Sequence, residues 1–317
     1  MSLKVGIVGA AGYAGAELIR LVLGHPEFEL VAITSNADAG QPLSAVYPSF
    51  AGVSDLVFTT HDAPELKSCD AVFLAVPHTA AMAQVPALLA AGVSCFDLSA
   101  DYRLSDPAVF EAWYAAEHTS PELLETRAFG LPELFCKDLE TAASNHADGK
   151  PVLVACAGCY PTATSLAAAP AVRAGWVAQS GPVIVDAISG VTGAGKSCNA
   201  RTHFCSADEN LEAYGVGKHR HTPEIEQILG LTDRVVFTPH LAPLKRGLLS
   251  TVTMPLTPQA IDTLTLEDVV DHYKQFYAGR AFVRVLDAGQ QPKTASVVGT
   301  NAAQIGLALN KRAGVLV

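Results

Sequence analysis

An apolar strand pattern runs directly into a glycine-rich turn in the segment Lys4-Val5-Gly6-Ile7-Val8-Gly9-Ala10-Ala11-Gly12-Tyr13-Ala14-Gly15. A helix-period segment follows, and strand, glycine turn and helix in this order are the context of a dinucleotide-binding loop. Glycines let the backbone approach a pyrophosphate, which the helix N-terminus faces. A glycine turn that only packs a helix on a strand would look alike, but its place after the first strand favours a nucleotide. We therefore assign to the nucleotide site Gly9, Ala11, Gly12, Tyr13, Ala14 and Gly15.

The end of the second predicted strand indicates which nucleotide binds. Its last residues, Thr34-Ser35-Asn36, carry hydroxyl and amide groups, whereas an NAD site usually has an acidic residue there to hold the ribose 2′-hydroxyl. A 2′-phosphate is tolerated beside such groups, so the sequence favours NADP(H), with Thr34, Ser35 and Asn36 as cofactor-binding residues. No Arg or Lys stands next to Ser35 to pair with that phosphate.

The pattern of strands and helices changes near residue 150. Along the first 100 residues, β-branched runs and helix-period segments alternate, at 4–8, 15–23, 30–34, 71–76, 79–90 and 93–98. This alternation predicts a Rossmann-type, doubly wound parallel sheet. Beyond Cys159 the strands are longer and the helices fewer, at 182–189, 223–229, 234–238, 248–254 and 266–277. We predict an α/β protein with an NADP-binding domain at 1–157 and an α+β catalytic and oligomerisation domain at 158–299, whose sheet is mixed and largely antiparallel.

Composition argues against several classes of partner. Lys and Arg number 21 against 31 acidic residues, a formal net charge of −10, which repels nucleic acid and anionic membranes. The ligand should therefore be a small molecule. Seven cysteines in 317 residues, without regular spacing, fit a reducing compartment better than a disulfide framework. The N-terminus does not have the pattern of a signal peptide, and no apolar stretch is typical of a membrane-spanning helix. We therefore expect a cytoplasmic protein.

One cysteine stands where a thiol is activated. Cys159 lies between an apolar run and a helix-like run, in Gly158-Cys159-Tyr160-Pro161-Thr162. Unpaired N–H groups and the dipole at a helix N-terminus favour an anion, so a thiol there tends towards the nucleophilic thiolate. Cys156 completes a C-x-x-C pair, which leaves a redox pair or half a metal site open. Because no second pair accompanies it, we treat Cys156 as a buried strand residue and predict no metal.

A second glycine-rich segment imitates a phosphate loop. The run Gly190-Val191-Thr192-Gly193-Ala194-Gly195-Lys196-Ser197 satisfies G-x-x-x-x-G-K-S, which at face value predicts an ATPase or kinase. A phosphate loop opens a helix on the first strand of its own domain. Here the continuation Cys198-Asn199-Ala200-Arg201-Thr202 is poor helix and lies past the middle of the chain. We expect instead that Lys196 positions an anionic substrate beside Cys159.

Two histidines precede a predicted helix in Lys218-His219-Arg220-His221-Thr222-Pro223-Glu224. Thr222 is the expected N-cap and Pro223 the first helical residue. Glu224 can orient an imidazole, which favours general acid–base chemistry, while a surface or capping role for the histidines stays open. Arg103 follows a strand end, where an open α/β sheet exposes its ligand crevice, with a solvated arginine as the alternative.

Six motifs stand in order along the chain, at residues 9–18, 96–103, 158–162, 189–196, 219–225 and 237–241, the last followed by Arg246-Gly247. Together they resemble the N-acetyl-gamma-glutamyl-phosphate reductases of arginine biosynthesis, which are related to aspartate-semialdehyde dehydrogenase. The resemblance extends from Lys4 to the last residue. It implies NADPH-dependent reduction of an acyl phosphate to a semialdehyde and inorganic phosphate, through a cysteine thioester, in a homodimer or homotetramer.

The resemblance also implies roles for individual residues. Cys159 is the nucleophile, and His219 is the acid–base group, with Glu224 orienting it and His221 as a second candidate. Candidates for binding the substrate are Arg103, Ser189, Lys196 and Arg246. Further residues assigned to the cofactor are Pro77, Ser99, Gly193 and Ala194.

Two departures from the family pattern bear on these expectations. Lys196 stands where the family commonly has Arg, which keeps the charge but not the bidentate fork. Family members also continue past the position of Val317 into an Asp-Asn segment and a helix that packs on the nucleotide domain. We therefore expect 300–317 to complete the first domain and cofactor binding to be weak without that helix.

Alternative functions also fit the sequence. They are an aspartate-type or carrier-linked semialdehyde dehydrogenase, or a nucleotide-binding homologue with impaired catalysis.

Overall fold

The computed structural model describes residues 2–317, and the chain divides into two compact units, Met1–Ala157 and Gly158–Val317. Strands and helices alternate along the first unit. In chain order they are β1 (Leu3–Val8), α1 (Tyr13–Leu23), β2 (Phe28–Thr34), α2 (Leu43–Val46), β3 (Ala71–Leu74), α3 (Val85–Ala90), β4 (Ser94–Asp97), α4 (Pro107–Tyr114), β5 (Ala128–Gly130), α5 (Cys136–Ala147) and β6 (Leu153–Cys156). Short 3₁₀ turns lie between them at Pro48–Phe50, Pro64–Ser68, Ala81–Ala83 and Pro121–Leu124.

The strands of the first unit form one parallel sheet in the order β2-β1-β3-β4-β6-β5. This confirms the predicted doubly wound fold. The strand order reverses between β1 and β3, because β2 lies on the other side of β1. In open α/β sheets a ligand crevice forms beyond the carboxyl ends of the strands at such a reversal. The loops that follow β1 and β3 therefore bound the expected crevice.

Apolar side chains cover both faces of this sheet. On one face Ile7 packs with Ile19 of α1, and on the other Leu74 packs with Leu88 of α3 and Phe110 of α4. Strands that are apolar on both faces are what a parallel sheet between helix layers requires. This double burial fixes the strand ends, and with them the loops at the carboxyl edge.

One predicted helix of the first unit is broken. The sequence indicates a helix over 79–90, whereas the structure has the 3₁₀ turn Ala81–Ala83 and then the short helix α3. Pro86 explains where α3 begins, since proline is favoured in the first helical turn and disrupts an interior one. Thr79 has a φ of 74°, which a right-handed helix cannot contain.

The second unit combines longer strands with helices. Its elements are α6 (Cys159–Arg173), β7 (Val183–Gly190), α7 (Phe204–Ala207), β8 (Glu212–Ala213), α8 (Thr222–Leu229), β9 (Val235–Ala242), β10 (Leu248–Pro255), α9 (Pro258–Thr263), α10 (Leu266–Phe276), β11 (Val283–Val285), β12 (Ala303–Ile305), β13 (Leu309–Asn310) and β14 (Val315–Leu316). Thr222, the expected N-cap, is the first residue of α8, and His221 takes the cap position. Such a shift of one residue is common at helix ends.

A mixed sheet organises the second unit, as predicted. Its order is β13-β14-β10-β7-β9-β8, in which β7 and β9 are parallel and the other neighbours antiparallel. Helix α6 packs on β10 and on α8. Val185 of β7 is buried, whereas Ile184 and Val236, on the alternating face, are 39% and 49% exposed. One face of this sheet is thus covered and the other is open.

The segment 300–317 belongs to the second unit, where the resemblance had implied that it completes the first. β12 pairs with β11, and β14 pairs with both β13 and β10. The physical reason is that Leu316, opposite Met254 in the register, is fully buried against the mixed sheet.

Candidate functional site

The glycine loop of the first unit has the shape of a nucleotide cradle. Gly9 has a φ of 77°, and a Cβ on it would lie 2.3 Å from the carbonyl oxygen of Ala75. A Cβ on Gly15 would lie 2.5 Å from the Cα of Ala10, so α1 can approach the strand only with glycine there. A Cβ on Gly12 would meet nothing closer than 3.5 Å. Two glycines are therefore required by packing, while the space beside the third is open.

Tyr47 holds the glycine loop from behind. Its hydroxyl donates to the carbonyl oxygen of Ala11 at 2.7 Å and lies 3.2 Å from that of Gly12. Burial raises the pKa of Tyr47, so the phenol stays protonated and able to donate. These contacts with Tyr47 restrict the conformation of the glycine loop. Sequence reasoning missed Tyr47, because no local pattern links it to a loop 35 residues earlier.

The predicted ribose corner at the end of β2 is already hydrogen-bonded. Thr34 Oγ1 lies 2.7 Å from His61 Nδ1, and the His61 backbone N–H donates to Asn36 Oδ1 at 2.9 Å. Ser35 Oγ donates to Asp38 Oδ2 at 2.6 Å. His61 and Asp38 are therefore part of this corner, although the sequence assignment did not include them. The Ser35-x-x-Asp38 spacing could have pointed to Asp38, whereas His61 is distant in sequence.

The turn after β4 contains two predicted site residues that are buried and hydrogen-bonded within the protein. Ser99 is 1% exposed, and its N–H and hydroxyl both donate to Asp97, each at 2.8 Å. Arg103 is buried and donates to the carbonyl oxygens of Cys156 at 2.8 Å and Leu98 at 2.6 Å. Arg103 thus joins the ends of β4 and β6. Burial raises the pKa of Asp97 to about 6.

The predicted nucleophile occupies a helix start. Cys159 is the exposed first residue of α6, with Gly158 as N-cap. The Gly158 N–H donates to Oε1 of Glu224 at 2.8 Å. Glu224 lies in the first turn of α8 and is 1% exposed, so a buried carboxylate fixes the turn that presents the thiol. This bond connects the starts of α6 and α8.

His219 sits within a group of aromatic rings at the same place. Its ring lies 5.8 Å from Tyr160, 5.4 Å from Tyr214, 5.0 Å from His221 and 5.2 Å from Phe237, centroid to centroid. Tyr160 directly follows Cys159, so the structure brings His219 and the nucleophile turn together. Tyr214, which sequence reasoning missed, also contacts the Tyr160 hydroxyl at 3.3 Å.

The environment of His219 determines its charge and tautomer. Burial, with a smaller contribution from Arg220, lowers its pKa to about 4. The His221 backbone N–H lies 3.2 Å from His219 Nδ1, and because a backbone N–H can only donate, Nδ1 is assigned as the unprotonated nitrogen. His219 is thus a neutral imidazole at neutral pH that carries its proton on Nε2 and can donate it in a hydrogen bond.

Hydrogen bonds join two loops of the second unit, the one that follows β7 and the one that follows β9. Val191 N donates to the carbonyl oxygen of Leu244 at 2.8 Å, and Thr192 Oγ1 donates to that of Lys245 at 2.5 Å. Lys196 and Arg246, both exposed, continue from these joined segments. Ser189 lies at the start of this loop, where a Cβ on Gly193 would come within 2.7 Å of its hydroxyl.

The apparent phosphate loop does not open a helix. A 3₁₀ turn spans Val191–Ala194, and the next helix, α7, begins only at Phe204. This agrees with the rejection of an ATPase. Cys156 is a free thiol whose pKa burial raises to about 12. Among residues 2–317 no three His, Cys, Asp or Glu side chains are grouped to hold a metal ion, and none of the helices described is long and apolar enough to cross a membrane.

Comparison with known proteins identifies both units. The family described as semialdehyde dehydrogenase, NAD binding domain, matches residues 4–142, and semialdehyde dehydrogenase, dimerisation domain, matches 159–317. The chain is 46% identical over 317 residues to N-acetyl-gamma-glutamyl-phosphate reductase of Symbiobacterium thermophilum, covering 98% of this chain and 87% of that protein. It is also 46% identical to the reductase of Syntrophobacter fumaroxidans, with 98% and 88% covered.

Solved structures of low sequence identity share the fold. Aspartate semialdehyde dehydrogenase from Candida albicans, solved with NADP, superposes with a TM-score of 0.70 at 16% identity, covering 100% of this chain and 92% of that one. Aspartate semialdehyde dehydrogenase II from Vibrio cholerae, complexed with ASA, gives 0.70 at 13% identity, with 100% and 91% covered. At such identities the likeness establishes the fold alone.

Proposed function

This chain belongs to the semialdehyde dehydrogenase family and, within it, to the N-acetyl-gamma-glutamyl-phosphate reductases, and from that membership we propose its reaction. It reduces N-acetyl-L-glutamyl 5-phosphate to N-acetyl-L-glutamate 5-semialdehyde and inorganic phosphate with NADPH, in arginine biosynthesis. The observation that carries the proposal is the exposed thiol of Cys159 at the first residue of α6, beside His219 and Glu224. A thiol so placed is suited to form a thioester.

The first half of the reaction transfers the acyl group to the thiol. The Cys159 thiolate attacks the carbonyl carbon, a carbon–sulfur bond forms, and the carbon–oxygen bond to phosphate breaks. Phosphate leaves with the bonding pair and takes up one proton from water. Lys196 and Arg246 extend from two joined loops, and we assign them to the anionic phosphate and carboxylate groups of the substrate.

The second half reduces the thioester. Bound NADPH supplies the hydride that is added to the acyl carbon. The carbonyl oxygen becomes negatively charged in both halves, and the Nε2–H of neutral His219 is proposed to donate a hydrogen bond to it. When the carbonyl re-forms, the carbon–sulfur bond breaks and the Cys159 thiolate is restored. Glu224 supports both halves by fixing the Gly158 N–H.

The residues of the first unit fit the proposed cofactor. Gly9 and Gly15 are required by close backbone packing, while the space beside Gly12 is open at the N-terminus of α1. That combination suits a pyrophosphate. The corner at Thr34, Ser35 and Asn36 offers neutral groups to the ribose, next to the carboxylate of Asp38.

The direct test is phosphate-dependent reduction of NADP by N-acetylglutamate 5-semialdehyde, the reverse reaction. Cys159→Ser should abolish it, because an alcohol at that position is far less nucleophilic than a thiolate. Cys136→Ser is the matched control, since Cys136 is a free thiol at the start of α5. Activity that survives in Cys159→Ser, or is lost in Cys136→Ser, would contradict the proposal.

The same assay separates the related substrates. Aspartate 4-semialdehyde should be turned over at least about a hundredfold less efficiently, because unfilled polar contacts are costly. Efficient turnover of that compound would favour the aspartate-type alternative. Turnover of a carrier-linked semialdehyde, with none of the free N-acetyl compound, would favour the carrier-linked reaction.

A second copy of the chain is the proposed partner at the open face of the mixed sheet. Ile184 and Val236 are neighbours in the register and 39% and 49% exposed. The match of 159–317 to a dimerisation domain supports a second copy as occupant, and a two-fold axis would bury this face against itself. Val236→Lys should halve the mass measured by light scattering, whereas Leu21→Lys, at an exposed site of α1, should not change it. An unchanged mass for Val236→Lys would contradict this interface. A wild-type mass four times that of one chain would indicate a tetramer.

We place the enzyme in the cytoplasm. None of the seven cysteines forms a disulfide in the described structure. Free thiols are typical of reducing compartments. Cell fractionation with an antibody to the chain tests the assignment, and recovery outside the cytoplasmic fraction would contradict it.

A further inference from the structure

A strained backbone residue lies in the loop that follows β3. Thr79 has a φ of 74°, in the left-handed region that β-branched residues rarely occupy. Such conformations persist only where the surrounding structure holds them. No step of the proposed reaction uses Thr79, so we look for the cause of its conformation in the residues that contact it.

The buried carboxylate of Asp101 holds this loop. Asp101 is fully buried, and its Oδ1 accepts the Thr79 N–H at 2.6 Å. Its Oδ2 accepts the N–H groups of Ala81 at 3.0 Å and Met82 at 3.1 Å. A carboxylate can only accept, and these donors are the unpaired ones at the start of a 3₁₀ turn. One side chain therefore fixes both the strained residue and the turn after it.

Asp101 is itself anchored at the end of β4. Its N–H donates to Ser99 Oγ at 3.1 Å, and its carbonyl oxygen lies 2.7 Å from His118 Nε2. Ser99 in turn donates to Asp97. Through Ser99 and Asp97, Asp101 is thus hydrogen-bonded to the end of β4.

The loop that Asp101 holds is one wall of the expected crevice. β3 neighbours β1 at the reversal of strand order, and the Ala75 N–H donates to the Val8 carbonyl oxygen at 2.8 Å. The Ala75 carbonyl oxygen is also the atom that a Cβ on Gly9 would meet. Residues 75–82 therefore start in contact with the glycine loop, at the edge of the expected crevice.

We infer that Asp101 is a positioning residue for the dinucleotide. Its carboxylate fixes residues 75–82 in the conformation that receives the cofactor, and Thr79 is the point at which this conformation is held under strain. The inference rests on the proposed function, because it takes NADPH as the ligand of this crevice. Asp101 acts through the loop, so its loss should weaken NADPH binding and leave the acyl phosphate unaffected.

The test is Asp101→Asn, with NADPH affinity measured by fluorescence titration. The amide keeps one acceptor but turns an NH2 group towards backbone donors, and loss of one charge-assisted hydrogen bond corresponds to about tenfold weaker binding. KM for NADPH should rise by the same factor, while KM for the acyl phosphate should stay within about twofold. The matched control is Asp106→Asn, which changes a carboxylate that caps α4 by accepting the Ala108 N–H and should leave NADPH affinity unchanged.

Thr79→Gly tests the strain. Glycine adopts the observed φ without the steric penalty of a β-branched residue, so this variant should unfold at a higher temperature and should recover part of the NADPH affinity lost in Asp101→Asn. A double variant that binds no better than Asp101→Asn alone would overturn the role given to Thr79.

Several results would overturn the inference as a whole. One is a folded Asp101→Asn protein whose affinity for NADPH equals that of the wild type. Another is a loss of affinity that is equal for NADPH and for the acyl phosphate. If Asp101→Asn does not fold, amide exchange in the wild type decides. Slow exchange at Thr79, Ala81 and Met82 without NADPH supports a loop held by Asp101, and fast exchange that slows only with NADPH contradicts it. Wild type that binds NADPH without reductase activity would refute the proposed function and leave this test standing.

Discussion

Alanine at two glycines of the same loop should separate cofactor binding from stability. In Gly15→Ala the new Cβ would lie 2.5 Å from the Cα of Ala10, so α1 must move by about 1 Å to reach ordinary carbon contact. Overpacking costs about 1–3 kcal/mol, and because the new Cβ meets backbone atoms of Gly9 and Ala10, the cost here lies in the upper part of that range, about 2–3 kcal/mol, against about 1 kcal/mol gained from helix propensity. We expect a net loss of about 1–2 kcal/mol, which lowers the unfolding temperature by several degrees.

Gly12→Ala should behave in the opposite way. Gly12 has a φ of −78° and ψ of 169°, which alanine adopts easily, and its Cβ would meet nothing closer than 3.5 Å. The unfolding free energy should therefore change by less than about 1 kcal/mol. The methyl group would occupy space proposed for the pyrophosphate, and loss of one or two charge-assisted hydrogen bonds weakens NADPH binding by roughly 10- to 100-fold.

The assays are thermal unfolding of the apoprotein and fluorescence titration with NADPH. We expect the Gly12→Ala protein to be stable and to bind NADPH poorly, and the Gly15→Ala protein to be destabilised. Wild-type NADPH affinity in Gly12→Ala would refute the assignment of this loop to the pyrophosphate. Unchanged stability in Gly15→Ala would refute the packing argument.

Three further predictions concern charge. Asp97→Asn should stabilise the protein by up to about 3 kcal/mol above pH 6 and by less than about 1 kcal/mol near pH 4, measured by urea unfolding, because burial raises the folded pKa of Asp97 to about 6 and makes its ionised form costly. An equal effect at both pH values would contradict this prediction. The His219 ring protons should titrate in NMR near pH 4 in the free enzyme, with His219→Gln to assign the signal, and a midpoint near 6.5 would show that the ring is not buried. Asp38→Asn should increase the preference for NADPH over NADH, because it removes a negative charge bound to Ser35; unchanged ratios of the two dissociation constants would place the 2′-phosphate elsewhere.

Local sequence patterns were sufficient for the architecture. The β-branched runs with helices between them predicted the parallel sheet, because strands buried on both faces must be apolar throughout. The glycine turn after β1 and the thiol after β6 were identifiable because both stand at junctions of strand and helix. Cys159 is the first residue of α6, as the pattern indicated.

Contacts between distant segments could not be read from these patterns. Tyr47 and His61 meet the nucleotide loop and the end of β2 through the fold alone. The segment 300–317 joins the mixed sheet because Leu316 is buried there. The sequence motifs that carry the family resemblance did not indicate this placement. Glu224 was expected to orient a histidine, and its bond to the Gly158 N–H adds a role that depends on how α6 and α8 meet. The catalytic and binding roles of the site residues stay predictions.

Trapping of the acyl-enzyme tests the central claim most directly. Enzyme mixed with N-acetylglutamyl 5-phosphate in the absence of NADPH should release one phosphate per active site in a burst, and mass spectrometry should find the N-acetylglutamyl group on the peptide that contains Cys159. Cys159→Ser should give neither the burst nor the adduct. Phosphate release that needs NADPH, or an adduct on any other cysteine, would contradict the account.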